Sequence, residues 1–194
     1  MNLKNVDILD RVMTLPLKTG YSKSGEAVID RRHQKVIDAV KGEGHILEVG
    51  PGNGKLALWF LMNHQPVSLV DVTDENLKEF YALAGDEYSV PMHLFTKPSD
   101  WDIIPDNSFK HSIACEVIEH VTWWKELLYQ MIRVTRGKVV LTTPAGKSFW
   151  DPGHVNFFEL GDFAHLDAKV EEIITKKADL DNGQRCFYVE IDCA

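Results

Sequence analysis

The sequence predicts an α/β fold, a mostly parallel sheet with helices packed on its faces. Three observations predict it. Short apolar runs of strand length alternate with helical-period segments through most of the chain. One of those runs breaks on closely spaced glycines and passes at once into a helix pattern, the signature of a βα unit. The chain then ends on two further β runs, residues 170–175 and 186–191, joined by the turn former Asp181-Asn182-Gly183, which predicts an antiparallel last strand.

Taken in order, residues 1–27 mix charge with Pro16, Gly20 and Gly25 and show no period, so an irregular N-terminal arm is expected there. Across residues 26–41, Ile29, Val36, Ile37 and Val40 recur at helical spacing, and Gly42 and Gly44 close the pattern. Residues 45–49 make an apolar strand carrying one acid, Glu48, and Lys55-Leu56-Ala57-Leu58-Trp59-Phe60-Leu61 opens the next helix. Residues 66–71 make a second buried strand ending on Asp71. Thr73-Asp74-Glu75 then supplies the cap and acidic first turn of a helix running to about residue 84. A short third strand covers 91–95, with Pro91 tolerated at its first position. Pro105-Asp106-Asn107-Ser108-Phe109 is a turn feeding the strand 110–115. Trp124, Leu127, Leu128, Met131 and Ile132 form a helical stripe that belongs in the core. Residues 139–144 are the fifth strand, ended by Pro144, and 158–166 read as a short helix.

The turn Gly50-Pro51-Gly52-Asn53-Gly54 organises the rest. Glycine permits positive φ and lets a ligand approach the backbone closely. A phosphate loop would need glycine at Val49 and a hydroxyl at Leu56, so that reading fails. A dinucleotide fingerprint starting at Gly50 would place Lys55 where a small residue belongs; one starting at Gly52 reaches Ala57 and stays open. The longer match, Glu48-Val49-Gly50-Pro51-Gly52-Asn53-Gly54, resembles motif I of the class I S-adenosylmethionine (SAM) methyltransferases. Pro105 to Phe109 is similar to a P-D-N-S-F segment of the same enzymes, with Lys110 where an acid is usual. The resemblance spans roughly residues 28–194.

That resemblance implies a Rossmann-like three-layer sandwich with a seven-stranded sheet, one methyltransferase domain over residues 1–194, and SAM as cofactor. Residues 1–27, including Tyr21, Ser22 and Lys23, would then fold over the acceptor side. By the same resemblance Glu48, Gly50, Pro51, Gly52, Asn53 and Gly54 hold the cofactor. Asp71, about 20 residues beyond the glycines, takes the ribose hydroxyls with Val72 beside it. Ser99, Asp100 and Trp101 flank the adenine, while Cys115 and Glu116 line the methyl end.

Cys115-Glu116-Val117-Ile118-Glu119-His120-Val121 carries the candidate chemistry. His120 and Glu119 are the candidate catalytic residues, His120 as a general base. E-x-x-E-H with a later histidine also resembles two metal-dependent O-methyltransferase groups, acting on catechols and on small-RNA ribose. It implies a divalent ion, Mg²⁺ or Mn²⁺, on Glu116, Glu119, His120 and His154. Such an ion lowers the pKa of a hydroxyl and orients it. Two imidazoles would suit Mn²⁺, Fe²⁺ or Zn²⁺ better than Mg²⁺. Trp123, Trp124, Phe149 and Trp150 are candidate walls of an acceptor pocket, or core residues.

Composition bounds the partners. With 194 residues, 44% apolar and 26% charged, the chain is a soluble domain long enough for a real core. A net charge of −8 argues against a broad nucleic-acid surface. Cys115, Cys186 and Cys193 form no C-x-x-C spacing, which predicts a reducing cytoplasm. The first residues lack the apolar core of a signal peptide, and no apolar run approaches the ~20 residues of a membrane span. The expected function is O-methylation of a small-molecule hydroxyl. RNA ribose 2′-O-methylation and a non-catalytic SAM-binding subunit are the alternatives.

Overall fold

The computed structural model describes residues 31–42, 44–84, 88, 90–147, 151–175 and 184–193. The expected arm over 1–27 with Tyr21, Ser22 and Lys23, the start of the first helix, Phe149 and Trp150, and the Asp181-Asn182-Gly183 turn lie outside the described residues.

The helices are α1 (Arg31–Val40), α2 (Lys55–Met62), α3 (Asp74–Ala84) and α4 (Trp124–Val134). The strands are β1 (Ile46–Val49), β2 (Val67–Asp71), β3 (Met92–Leu94), β4 (Phe109–Cys115), β5 (Thr135–Pro144), β6 (Ala168–Thr175) and β7 (Gln184–Asp192). Short 3-10 segments cover Pro98–Ile103, Ile118–His120 and Leu160–Phe163.

These strands form one sheet in the order β3-β2-β1-β4-β5-β7-β6. Strands β1 to β5 pair in parallel, and β7 runs antiparallel to both β5 and β6. The sheet is therefore the seven-stranded, mostly parallel one expected, with an antiparallel last strand. Its order reverses beside β1, because the chain leaves through β2 and β3 and returns to β4 on the other side. In open α/β sheets the crevice at such a reversal, at the strands' C-terminal ends, is where ligands bind.

Every residue of β1 and β2 is buried. Both faces of these strands are covered, which is why they read as apolar runs and not as alternations. One face packs Val36, Ile37, Phe60 and Phe80 from α1, α2 and α3. The other packs Trp101, Leu127, Leu128, Met131, Phe158 and Phe163. The helical stripe predicted for α4 is that second core, with Trp124 and Ile132 partly buried at its edge.

Two elements differ from expectation. The helix expected over 158–166 is one 3-10 turn, Leu160–Phe163, in which the Asp162 carboxylate accepts the Glu159 N–H at 2.8 Å. That side-chain cap and Gly161 favour a tight turn over a continued helix. β5 begins at Thr135, directly after α4, because Thr135 already pairs with Phe109 across a register shift in β4.

Candidate active site

A cavity of about 1330 Å³ opens at the C-terminal ends of β1, β2 and β4. Its floor is the glycine turn. Gly50, Gly52 and Gly54 all have positive φ, at 64°, 53° and 76°. A Cβ on Gly50 would lie 2.5 Å from a Val117 methyl, and one on Gly54 would lie 2.5 Å from the Phe80 ring. At Gly52 none of the described residues stands within 4 Å, so there the backbone faces open space among them. The outer glycines answer to the protein's own packing, and the middle one leaves room beside the chain. Pro51 and Asn53 line the cavity between them.

Glu48 lines the same wall, with only 4% of its surface exposed. Burial pushes its carboxyl up to about 8, opposed in part by the Ala57 amide. Its Oε2 has no hydrogen-bond partner among the described residues. Asp71, at the end of β2, accepts the Thr73 N–H through Oδ1 and the Asn76 amide through Oδ2, both at 3.0 Å. Each oxygen keeps a spare lone pair. Val72 is half exposed beside it, at the cavity edge.

Of the three residues expected at the adenine, Trp101 alone lines the cavity. It is fully buried, with its ring 5.3 Å from that of Phe95. Ser99 is exposed and lies outside the lining, as does Asp100. The Asp100 carboxylate is spent capping its own turn. It accepts the Thr96 and Lys97 N–H groups at 2.8 and 3.1 Å, and these hold it below the usual range.

The opposite wall begins where β4 ends. The Cys115 thiol lines the cavity, but burial, followed by the charges of Glu48 and Glu116, pushes it far up and out of reach of a thiolate role. Glu116 has φ of 56°, a conformation that costs a non-glycine residue about 1–3 kcal/mol. It is held there by its N–H to the Thr142 carbonyl at 2.9 Å, by the Thr142 hydroxyl at 3.1 Å and by an Arg32 ion pair at 2.8 Å.

Glu119, three residues on, is 1% exposed. Its Oε2 accepts the Thr143 hydroxyl at 3.1 Å, while Oε1 has no partner among the described residues. Burial, and after it the Glu116 charge, raises its pKa well above the usual range. His120 reaches the cavity. Its Nδ1 lies 2.9 Å from the Gly153 carbonyl, which only accepts, so Nδ1 carries a proton, and in the neutral ring Nε2 is the acceptor. The His154 ring stands 4.8 Å away, nearly perpendicular. Ligand atoms of Glu119, His120 and His154 all lie within 4.8 Å of one another. Glu116 is not in that group. Three of the four expected ligands thus come together, and the fourth turns to Arg32.

Trp123 lines the cavity, whereas Trp124 packs edge-on against Phe158 at 5.1 Å. Arg32 and His33, both from α1, also reach this site. Sequence reasoning passed over them, since a basic run at a helix start carries no signal of its own. The segment 151–157, which meets the turn bearing His120, was read only for His154.

Comparison with known proteins follows the same outline. Residues 47–142 match the family model described as a methyltransferase domain. Among solved structures, the chain is similar to the YcgJ protein of Bacillus subtilis, at 16% identity over 81% of this chain and 95% of that one, with a TM-score of 0.64. It is similar to a SAM-dependent methyltransferase from Archaeoglobus fulgidus, at 14% identity over 83% and 91%, TM-score 0.63. A third likeness is to a SAM-dependent methyltransferase from Mesorhizobium loti, at 15% identity over 83% and 97%, TM-score 0.63. At these identities the structures share the fold. No curated protein matches. Among the described residues, no helix is long and apolar enough to cross a membrane.

Proposed function

We propose that this chain is a SAM-dependent methyltransferase, a reading its matched domain and its fold support, and that it methylates a small-molecule hydroxyl with His120 as the base. The observation that carries this reading is His120 in the cavity wall with the Gly153 carbonyl on its Nδ1, a bond that makes Nε2 the acceptor of the neutral ring. A hydroxyl is a poor nucleophile until its proton is removed, and a positioned imidazole contributes about 10²–10⁴-fold by removing it.

The residues present fit SAM, which supplies a methyl group activated on a sulfonium. The open space at Gly52 admits a ligand against the main chain. The unpartnered Glu48 Oε2 suits an ammonium, and the spare lone pairs of Asp71 suit two ribose hydroxyls. Trp101 bounds the adenine side. Cys115 and Glu116 bound the methyl end, and Trp123 with Val121 offers an apolar wall to the acceptor. Holding acceptor oxygen and methyl carbon in line supplies the remainder of the acceleration.

A second reading uses the same atoms differently. The buried Glu119 Oε1, unpartnered among the described residues, would with the two imidazoles supply the donors of a three-ligand metal site. One carboxylate and two histidines favour Mn²⁺, Fe²⁺ or Zn²⁺ over Mg²⁺, and a bound ion would lower the pKa of a coordinated hydroxyl. His120 Nε2 serves as a base or as a ligand, not both at once.

Labelled SAM offered with phenol, catechol, benzoate and aniline tests the proposal. Label in an aryl methyl ether, lost in His120→Ala, is the expected result; label on aniline alone would contradict it. Rates equal with and without EDTA keep the base reading, and a rate abolished by EDTA selects the metal.

A further inference from the structure

We propose that Asn156 is a positioning residue that fixes the imidazole of His120, an inference resting on His120 acting at the acceptor. His120 sits in a 3-10 turn of three residues, Ile118–His120. So short a turn has almost no hydrogen-bond ladder of its own. Besides the Thr143 hydroxyl on Glu119, its hydrogen bonds to other parts of the chain come from residues 151–157, more than thirty positions further along.

The Asn156 side-chain amide donates to the Ile118 carbonyl at 2.9 Å and to the Val121 carbonyl at 2.8 Å. These two carbonyls bracket Glu119 and His120. The backbone N–H groups of Val155 and Asn156 both donate to the carbonyl between them, that of Glu119, at 2.8 and 3.0 Å. The same segment returns the Gly153 carbonyl to His120 Nδ1 at 2.9 Å. Gly153 is in turn held by its N–H to the Asp151 carboxylate at 2.7 Å. Turn and segment are thus tied at both ends, and the carbonyl that sets the histidine tautomer is carried by the tie.

The chemistry demands an amide at 156. Both partners are carbonyl oxygens, so only a group with two N–H donors satisfies them, which also settles the orientation of the amide. Aspartate has the same shape and no donor, and would set its own oxygens against those carbonyls. Gly153 belongs to the same device: a Cβ there would lie 3.1 Å from His120 Nδ1. Without the tie, the ring loses its carbonyl and exchanges its proton between the two nitrogens. A misplacement of about 1 Å at a reacting group can cost about 10²-fold in rate.

The test is ¹⁵N ring spectroscopy of the full chain with labelled histidine, comparing wild type with Asn156→Asp. Wild-type His120 is expected as the Nδ1–H tautomer. In Asn156→Asp its two ring nitrogens should move toward a common, averaged shift, while His45 and His111, next to and within the central strands, keep theirs. An unchanged His120 signal would overturn the proposal, as would a change shared by all three histidines, which would make Asn156 a residue of the fold at large. Should Asn156→Asp not fold, Asn156→Ala is read in the same way; failure of both to fold would also overturn it. No methyl transfer enters this readout, so an idle His120 in turnover would sink the proposed function and leave this measurement standing.

Discussion

The two walls of the cavity hold their shape by different means. The wall after β1 is a feature of the main chain, three glycines at positive φ, with Val117 and Phe80 pressed against the outer two. The wall after β4 is built from side chains arriving from elsewhere: Arg32 from α1, Thr142 and Thr143 from β5, and Asn156 from the segment beyond. Glu116 and Glu119 show what this does. Three residues apart, one is ion-paired and partly exposed, while the other is buried with an oxygen unpartnered among the described residues. A wall made of backbone can be lost to one added methyl group; a wall made of side chains is lost to removal of a partner.

The largest expected effect falls on the side-chain wall. His120→Ala should lower methyl transfer by about 10²–10⁴-fold while leaving affinity for S-adenosylhomocysteine (SAH) unchanged. Equal turnover in the variant would move the chemistry off this wall. On the backbone wall, Gly54→Ala combines a left-handed residue, about 1–2 kcal/mol, with overpacking against Phe80, typically 1–3 kcal/mol. Its unfolding free energy should fall by about 2–5 kcal/mol in a denaturant titration. A loss of only about 1–2 kcal/mol would show that Phe80 yields easily and that the left-handed backbone alone is felt.

Glu48 gives a pH signature to the backbone wall. Its carboxyl holds a proton up to about pH 8 in the fold, against an ordinary 4.5. The folded chain therefore binds the extra proton between those values. The stability it contributes is full below pH 4.5 and is lost as pH rises toward 8. Glu119, raised likewise, adds a slope of the same sign. Glu48→Gln should remove its own share, so the difference between variant and wild type should grow by a few kcal/mol from pH 5 to pH 8. A constant difference would mean that Glu48 is ionised in the fold.

The contrast between the walls also explains what the sequence could reveal. The glycine turn was legible because Glu48 to Gly54 contains the whole device within seven residues, three of them glycines whose backbone freedom is their function. Strands β1 and β2 and the inner stretches of β4 and β5 were legible for a similar reason, since burial on both faces writes itself as apolar runs. The side-chain wall appeared only as candidates. E-x-x-E-H names the groups, but whether Glu116 meets a metal or Arg32 depends on where α1 docks. Asp100 failed to reach the cavity because a carboxylate two residues after Pro98 caps its own turn first. Asn156 gave no signal at all, because an asparagine in a loop reads as a turn former until its two carbonyl partners are in view.

The central claim is that the space beside Gly52 receives the cofactor. Titration calorimetry of wild type and Gly52→Ala with SAH tests it most directly. At Gly52 none of the described residues stands within 4 Å, so a methyl group there strikes none of their atoms and costs stability through its φ of 53°. The account predicts one SAH bound per wild-type chain and an affinity lower by about tenfold or more, roughly 1.4 kcal/mol, in the variant. Equal heats and equal affinity in the two proteins, or no heat in either, would contradict it.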